Sequence, residues 1–100
     1  MHIIEHGAGD PLVVIPGFQG RWEYVRPAVD ALAGYFRVIT FPLCGEPSSG
    51  LEFEPARGFD NYTDQVLDAL GAAKLDRATI CGISFGGLVA LRFAAAHPDR

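Results

Sequence analysis

The sequence has few cysteines, no secretory-signal pattern in its opening residues and no long apolar run, and each shortage argues against a class of protein. Cys44 and Cys81 are the only two cysteines among 100 residues. They are too few for a disulfide scaffold and are not spaced like metal ligands, so we expect free thiols. The opening residues, MHIIE, lack the basic segment and apolar stretch of a secretory signal. The longest weakly polar stretch, residues 78–91, is short for a membrane span, which predicts a cytoplasmic protein without membrane contact.

The net charge of the chain bears on which kinds of binding partner it can have. Eight Lys and Arg face twelve Asp and Glu, a formal net charge of −4, which argues against nucleic acid and anionic membranes. A composition of 49% hydrophobic and 20% charged residues is typical of a folded globular domain. A chain of this length supplies about one small domain with a single core.

Apolar patterning predicts alternating strands and helices. Four short apolar runs predict strands, at residues 2–5, 12–15, 36–41 and 78–83. Three stretches with apolar residues every three or four positions predict helices, over residues 22–35, 60–75 and 85–97. Pro27 marks the start of the regular part of the first helix, and residues 42–58 predict a long irregular loop. The alternation predicts an α/β fold, a mostly parallel sheet with helices on both faces.

The motif that bears most on function is G-x-S-x-G, formed by Gly82, Ser84 and Gly86 between a predicted strand and an apolar helix. A serine hydroxyl is a poor nucleophile, so a protein that uses one exposes it at a sharp strand-to-helix turn beside a base and an oxyanion site. Side chains two positions either side would collide at such a turn, which explains the glycines. The alternative is a glycine-rich turn whose serine only caps the helix. The setting favours Ser84 as a catalytic nucleophile.

A second turn, P-G-F-Q-G at residues 16–20, follows the strand predicted at residues 12–15. Carboxyl ends of parallel strands share one edge of a sheet, so this turn can face Ser84. A tetrahedral intermediate develops negative charge on oxygen, and we expect the backbone N–H groups of Phe18 and Phe85 to hold it, with Gly17 shaping the turn. Glycines that merely reverse the chain are the alternative.

Together these segments resemble the α/β-hydrolase family over nearly the whole chain. Residues 3–20 resemble its early hairpin and H-G-x-x-G oxyanion turn, residues 38–49 its D-x-x-G-x-G-x-S loop, and residues 81–100 its elbow and following helix. Three prolines depart from these patterns, where the family usually or often has His, Asp and Gly: Pro16, Pro42 and Pro47. The resemblance implies that residues 1–100 are the N-terminal portion of a single α/β-hydrolase domain, with no separate second domain.

The family's triad runs serine, acid, histidine along the chain, and this sequence offers no such partners for Ser84. His97 is predicted at the far end of the last helix, about 20 Å from the elbow at about 1.5 Å per residue. His2 and His6 lie on or beside an outer strand. We therefore expect the acid and the histidine beyond residue 100, and the 100-residue chain to be inactive by itself. A chain that ended there would expose an open sheet edge and could self-associate through it.

The resemblance implies a serine hydrolase without cofactor or metal that acts through an acyl-enzyme. Its substrate would be a small ester, thioester, lactone or activated C–C bond. Serine, where dehalogenase and epoxide-hydrolase relatives use aspartate, favours acyl chemistry. Two alternatives stay open, a cofactor-free haloperoxidase or acyltransferase of the same fold and a non-catalytic binding member. Trp22 and Phe18 could line an apolar acyl pocket or only pack, and Arg21 could meet a substrate carboxylate or stay a surface charge.

The resemblance also implies an order of strands. The strand at residues 12–15 would lie between the strand ending near residue 41 and the strand that contains Cys81. The strand ending near residue 41 and the strand that contains Cys81 would then be two strand spacings apart, about 9.6 Å. That separation is too large for a disulfide between Cys44 and Cys81.

Overall fold

A computed structural model describes residues 1–100 and contains every strand and helix that the sequence predicts, with ends that differ by a few residues. The strands are β1 (Ile4–His6), β2 (Pro11–Ile15), β3 (Arg37–Thr40) and β4 (Thr79–Gly82). The α-helices are α1 (Arg26–Leu32), α2 (Asp60–Ala72) and α3 (Phe85–Ala96). Four 3₁₀ turns complete the fold: Phe18–Gly20, Trp22–Val25, Pro47–Ser49 and Pro55–Arg57. None of the helices has the length and apolar character that crossing a membrane requires.

The strands form one sheet in the order β1-β3-β2-β4. β2 is parallel to both β3 and β4, and Val13 at its centre lies opposite Ile39 and Ile80. β1 runs antiparallel to β3 at the edge. The mostly parallel sheet is therefore confirmed, and so is the predicted place of β2 between β3 and the strand that contains Cys81.

The predicted early hairpin is not formed, because β1 and β2 do not pair with each other. β3 lies between them and is hydrogen-bonded to both. The segment that joins β1 to β2 passes the end of α1 so closely that a Cβ on Gly7 would lie 3.0 Å from the carbonyl carbon of Ala33. β2 is buried on both faces and has β3 and β4 as parallel neighbours, so neither of its edges is free to pair with β1.

Alternation along β2 divides the core into two layers. Val13 and Ile15 face α2 and α3 in the larger cluster of buried side chains. Leu12 and Val14 face the opposite side and pack around Val29 of α1. Successive strand side chains point to opposite faces of a sheet, so a continuous apolar run indicates a strand covered by helices on both sides. The helices cover the two faces of the sheet but not the carboxyl ends of β2 and β4, where the two candidate turns lie.

The first helical region has two parts. Trp22–Val25 is a 3₁₀ turn, and regular α-helix begins only at Arg26, with Pro27 in the first turn. Proline is tolerated there because its missing N–H would have no partner in any case. Residues 42–58 form the predicted irregular loop, which contains only the two short turns Pro47–Ser49 and Pro55–Arg57.

Candidate active site

Ser84 lies in a strained turn between β4 and α3. Its backbone angles are φ 56° and ψ −119°, a region that non-glycine residues enter at a cost of about 1–3 kcal/mol. The side chain is exposed and makes no capping hydrogen bond to the helix that follows. Helix-capping serines have extended backbone angles and accept such a bond. The structure therefore argues against the helix-cap interpretation and holds the hydroxyl out from the sheet.

The glycines of the turn leave no room for side chains. A Cβ on Gly82 would overlap the carbonyl oxygen of Gly86 and lie 2.6 Å from Cα of Gly87. A Cβ on Gly86 would overlap the carbonyl oxygen of Ile15 and lie 2.8 Å from that of Pro16. Both obstacles are backbone atoms, which cannot rotate away. Glycine at these two positions is thus a steric requirement of the turn.

The turn after β2 abuts the turn after β4. A Cβ on Gly17 would lie 2.9 Å from the Cβ of Ser84 and 3.2 Å from the backbone nitrogen of Phe85. The amide of Ile83 donates to the carbonyl of Ile15 at 3.1 Å, which ties the ends of the two strands together. The structure thus brings together the two turns that the sequence analysis expected to face each other.

Two amides at this junction have no acceptor within the protein. The N–H groups of Phe18 and Phe85 donate no hydrogen bond, whereas Gly86 N–H donates to the carbonyl of Ile83 at 2.9 Å and Gly87 N–H to that of Ser84 at 2.8 Å. Phe85 is the first residue of α3, where a helix leaves its N–H groups unpaired and favours negative charge. Both amides therefore remain unpaired donors at the junction of the two turns.

These turns form one side of an open cleft of about 540 Å³. Its other side comes from the loop after β3 and from α2, and sequence reasoning did not identify it. The residues that line the cleft are Gly17, Phe18, Gln19, Gly20, Leu43, Cys44, Gly45, Glu46, Phe53, Tyr62, Ser84 and Phe85. The irregular loop carries no periodic pattern that could have shown which of its side chains face the cleft.

Aromatic rings join the far wall of the cleft to the elbow. The ring of Phe85 lies 5.7 Å from that of Phe59 and 5.3 Å from that of Tyr62, measured between centroids. Phe53 extends the cluster, 5.6 Å from Tyr62. Such pairs contribute about 0.5–1.5 kcal/mol each beyond the area that they bury. The cluster fixes the orientation of α2 against the residue that follows Ser84.

The loop wall is fastened to α2 by one buried side chain. Gln65 accepts a hydrogen bond from the amide of Cys44 at 2.8 Å and donates to the carbonyl of Pro42 at 2.7 Å. Gln65 is 2% exposed, so both bonds are shielded from water. The position of the cleft wall therefore depends on a residue more than twenty positions away in the sequence.

Two ionisable groups in the wall stay neutral. Burial raises the pKa of the Cys44 thiol, against the opposing effect of Arg57, and the sulfur donates to the carbonyl of Glu52 at 3.2 Å. Burial also raises the pKa of the Tyr62 hydroxyl, with Cys44 adding to the shift. A thiol is nucleophilic only as the thiolate, so Ser84 is the nucleophile candidate in this cleft. Cys44 and Cys81 are both free.

Of the three other residues that the sequence suggested for the pocket, only Phe18 lines the cleft. Phe18 is 67% exposed and lies against Tyr24 at 5.4 Å. Trp22 lies outside the cleft and packs edge-on against His6 at 6.1 Å, which favours the packing interpretation. Arg21 pairs with Glu23 at 3.3 Å and is not among the lining residues.

No histidine of the chain lies near Ser84. His6 is 3.6 Å from Asp30, and its place opposite Val38 puts it toward the end of the sheet away from Ser84. His97 follows α3 and packs on Phe93 at 5.1 Å, about 18 Å along the helix from the elbow. His2 precedes β1, about 14 Å and three strand spacings from β4. No group of three or more His, Cys, Asp and Glu side chains is arranged to hold a metal ion.

Comparison with known proteins gives consistent matches. The sequence model of the family described as the alpha/beta hydrolase fold matches residues 10–100. RutD of Azorhizobium caulinodans, a carbamate hydrolase by assignment, is 32% identical over 95% of this chain and 36% of its own length. The soluble epoxide hydrolase of Corynebacterium sp. strain C12 is 34% identical over 99% of this chain and 34% of its own length. The chain thus spans about a third of the length of these relatives.

Comparison with solved structures indicates the same fold as the sequence comparison. The crystal structure of the enol-lactonase from Burkholderia xenovorans LB400 superimposes with a TM-score of 0.87 at 28% identity, covering 99% of this chain and 39% of the enzyme. The matched part contains all four strands and the turns at Gly17 and Ser84.

Proposed function

Because the chain belongs to the α/β-hydrolase fold family, we propose that the cleft beside Ser84 is the nucleophile side of a serine hydrolase active site. Ser84 Oγ attacks the carbonyl carbon of a small ester, thioester, lactone or activated C–C bond. A histidine beyond residue 100, oriented by an acid also beyond it, takes the serine proton and passes it to the leaving group. Water then hydrolyses the acyl-enzyme and returns the proton to Ser84. The partner is a small acyl substrate, and the reaction needs no cofactor.

The strained backbone of Ser84 carries the proposal. A cap or a plain turn has no use for a serine at φ 56° and ψ −119° with an unbonded hydroxyl, because glycine would adopt these angles at lower cost. Strain of this kind persists at sites where it positions a group for chemistry. The free hydroxyl and the close approach of Gly17 together support a nucleophile rather than a structural residue.

The unpaired amides of Phe18 and Phe85 support an oxyanion site. Charge develops on the carbonyl oxygen during attack by Ser84, and donors that are already in place stabilise it without reorganisation. Removal of one such donor costs a serine hydrolase about 2.7–4 kcal/mol of transition-state stabilisation. Backbone donors also tolerate a change such as proline at position 16, since they do not depend on the side chain of that residue.

A fluorophosphonate probe on the full-length protein tests the proposal. We expect covalent labelling that Ser84→Ala abolishes and that Ser48→Ala retains, with the modified peptide identified by mass spectrometry. Ser48 is a matched control because it is one of only three serines in the sequence and lies outside the elbow. A folded full-length protein without labelling would overturn the proposal in favour of a non-catalytic binding role.

A further inference from the structure

We propose that the cleft accepts an uncharged, apolar acyl group, and that Glu46 excludes acyl groups that carry a carboxylate. This inference rests on the proposed function, because it names the substrate class for the nucleophile Ser84. It goes further by assigning a role to the loop after β3, which contributes most of the wall opposite the elbow.

The wall offers apolar surface that a ligand would cover. Phe18 is 67% exposed and Phe53 is 40% exposed, although both line the cleft with Leu43, Tyr62 and Phe85. Large exposed aromatic side chains around a cleft with few polar groups are typical of sites for apolar ligands. An acyl chain held against them would lose water on both sides, which favours binding in proportion to the apolar area buried.

The charge of the cleft has one sign. Glu46 is the only charged residue among those that line it, and no Lys, Arg or His is present. The pKa of Cys44 and that of Tyr62 are both raised by burial, so neither side chain adds a second charge near neutral pH. A substrate carboxylate would therefore meet the negative charge of Glu46 and no cation among the residues of this chain that line the cleft.

Arg21, the basic residue next along the chain, is paired through its terminal nitrogen, while its Nε is buried without a hydrogen-bond partner. The guanidinium of Arg21 donates to Glu23 at 3.3 Å and lies 5.6 Å from the centroid of the Tyr24 ring. The hydrogen bond to Glu23 is the largest cause of its raised pKa, with Glu46 a minor cause. Arg21 is not among the residues that line the cleft, and its pairing with Glu23 turns part of its charge away from a ligand there.

The carboxylate of Glu46, which lines the cleft, is fixed by its neighbours. It accepts hydrogen bonds from the amide of Ser48 at 2.9 Å and from the Ser48 hydroxyl. Its own amide donates to the carbonyl of Leu43 at 3.0 Å, and Leu43 N–H donates to the carbonyl of Gly20 at 2.8 Å. A Cβ on Gly20 would lie 3.5 Å from the Cβ of Glu46. Glu46 is therefore held against the turn that contains Phe18, within the lining of the cleft.

Two activated esters of matched size test the inference in the full-length protein. They are the 4-nitrophenyl monoester of succinate, which carries a free carboxylate, and its neutral methyl ester. We expect kcat/KM for the neutral ester to exceed that for the anion by about tenfold, the size that repulsion between like charges a few ångströms apart gives at a surface. About 1 M salt, with a Debye length of about 3 Å, should reduce this ratio.

Glu46→Gln removes the charge and keeps an acceptor for Ser48, so it should lower the neutral-to-anionic ratio by about tenfold. Glu52→Gln is the matched control, because that side chain lies outside the cleft, and the ratio should not change. Equal or faster turnover of the anionic ester by the wild type, or an unchanged ratio in Glu46→Gln, would overturn the inference. A failure of the proposed function is distinguishable, since the uncharged fluorophosphonate would then leave Ser84 unlabelled.

Discussion

The two sides of the cleft are built by opposite means. On the elbow side, the turns after β2 and β4 touch through their backbones, and added Cβ atoms at Gly17, Gly82 and Gly86 would collide with neighbouring atoms. On the loop side, residues 42–58 have little regular structure of their own. The turn at Ser84 thus depends on glycines, which leave room for close backbone contact. The loop wall depends on side chains of α2 that hydrogen-bond to the loop backbone.

Two amide side chains of α2 hold the loop. Gln65 bonds the backbone at Pro42 and Cys44, and Asn61 donates to the carbonyls of Glu54 and Gly58, each at 2.8 Å. The loop residues that face the cleft are therefore free to vary in character while the backbone keeps its course. The turn at Ser84 is therefore fixed by its own backbone, whereas the course of the loop is fixed by side chains of α2.

The largest expected effect is on the elbow. Gly86→Ala should lower the free energy of unfolding by about 3 kcal/mol or more, because the new methyl group meets the backbone of Ile15 and Pro16 and the core cannot relax around it. Urea unfolding of the full-length protein measures the change. The same variant should lose fluorophosphonate labelling.

Gly71→Ala is the matched control for that variant. Gly71 lies in α2, and a Cβ there would meet nothing within 4 Å. Alanine favours a helix over glycine by about 1 kcal/mol, so this variant should be more stable than the wild type. A Gly86→Ala protein as stable as Gly71→Ala would contradict the steric account of the elbow.

On the loop side, Gln65→Leu should lower the free energy of unfolding by about 2–3 kcal/mol. It leaves the amide of Cys44 and the carbonyl of Pro42 without their partner, and an unsatisfied buried polar group costs about 1–3 kcal/mol. Asp68→Leu places the same side chain at an exposed position of α2 and should stay within about 0.5 kcal/mol of the wild type. Equal stability of the two variants would show that the wall does not depend on Gln65.

Backbone strain at Ser84, the proposed nucleophile, gives a smaller effect of opposite sign. Ser84→Gly should raise the free energy of unfolding by about 1–2 kcal/mol relative to Ser84→Ala, because only glycine adopts φ 56° and ψ −119° without strain. Thermal or urea unfolding of the two variants measures the difference. Neither variant has the hydroxyl, so neither should be labelled by the fluorophosphonate. Equal stability of the two variants would contradict backbone strain at residue 84.

The smallest effect is a pH dependence of the loop wall. The pKa of Cys44 is raised in the folded protein, so its contribution to stability is present below the unfolded pKa of about 8.5 and is lost as pH rises through the folded value. We expect stability to fall above that pH, and to fall less in Cys44→Ala. Alkylation of Cys44 by iodoacetamide at about pH 8 should also be slower in the folded protein than in urea, and equal rates would contradict burial of the thiol.

Much of the fold followed from pattern alone. The continuous apolar run of β2 and the spacing of apolar residues in α2 and α3 are properties of single segments, so they predicted the elements and the parallel sheet. The pairing of β1 did not follow, because a short edge strand with turn formers after it is equally compatible with a hairpin. Only the packing of β3 between β1 and β2 decided that choice.

The candidate site divides in the same way. The sequence by itself determined the elbow, because glycines at positions 82 and 86 around a serine between strand and helix have few other uses. The tertiary structure decided which residues oppose it. Leu43, Glu46 and Phe53 follow no local pattern. They line the same cleft as Ser84 because buried side chains of α2 set the path of the loop. Local sterics can be read from neighbouring residues, whereas a wall assembled from distant segments exists only once the chain has packed.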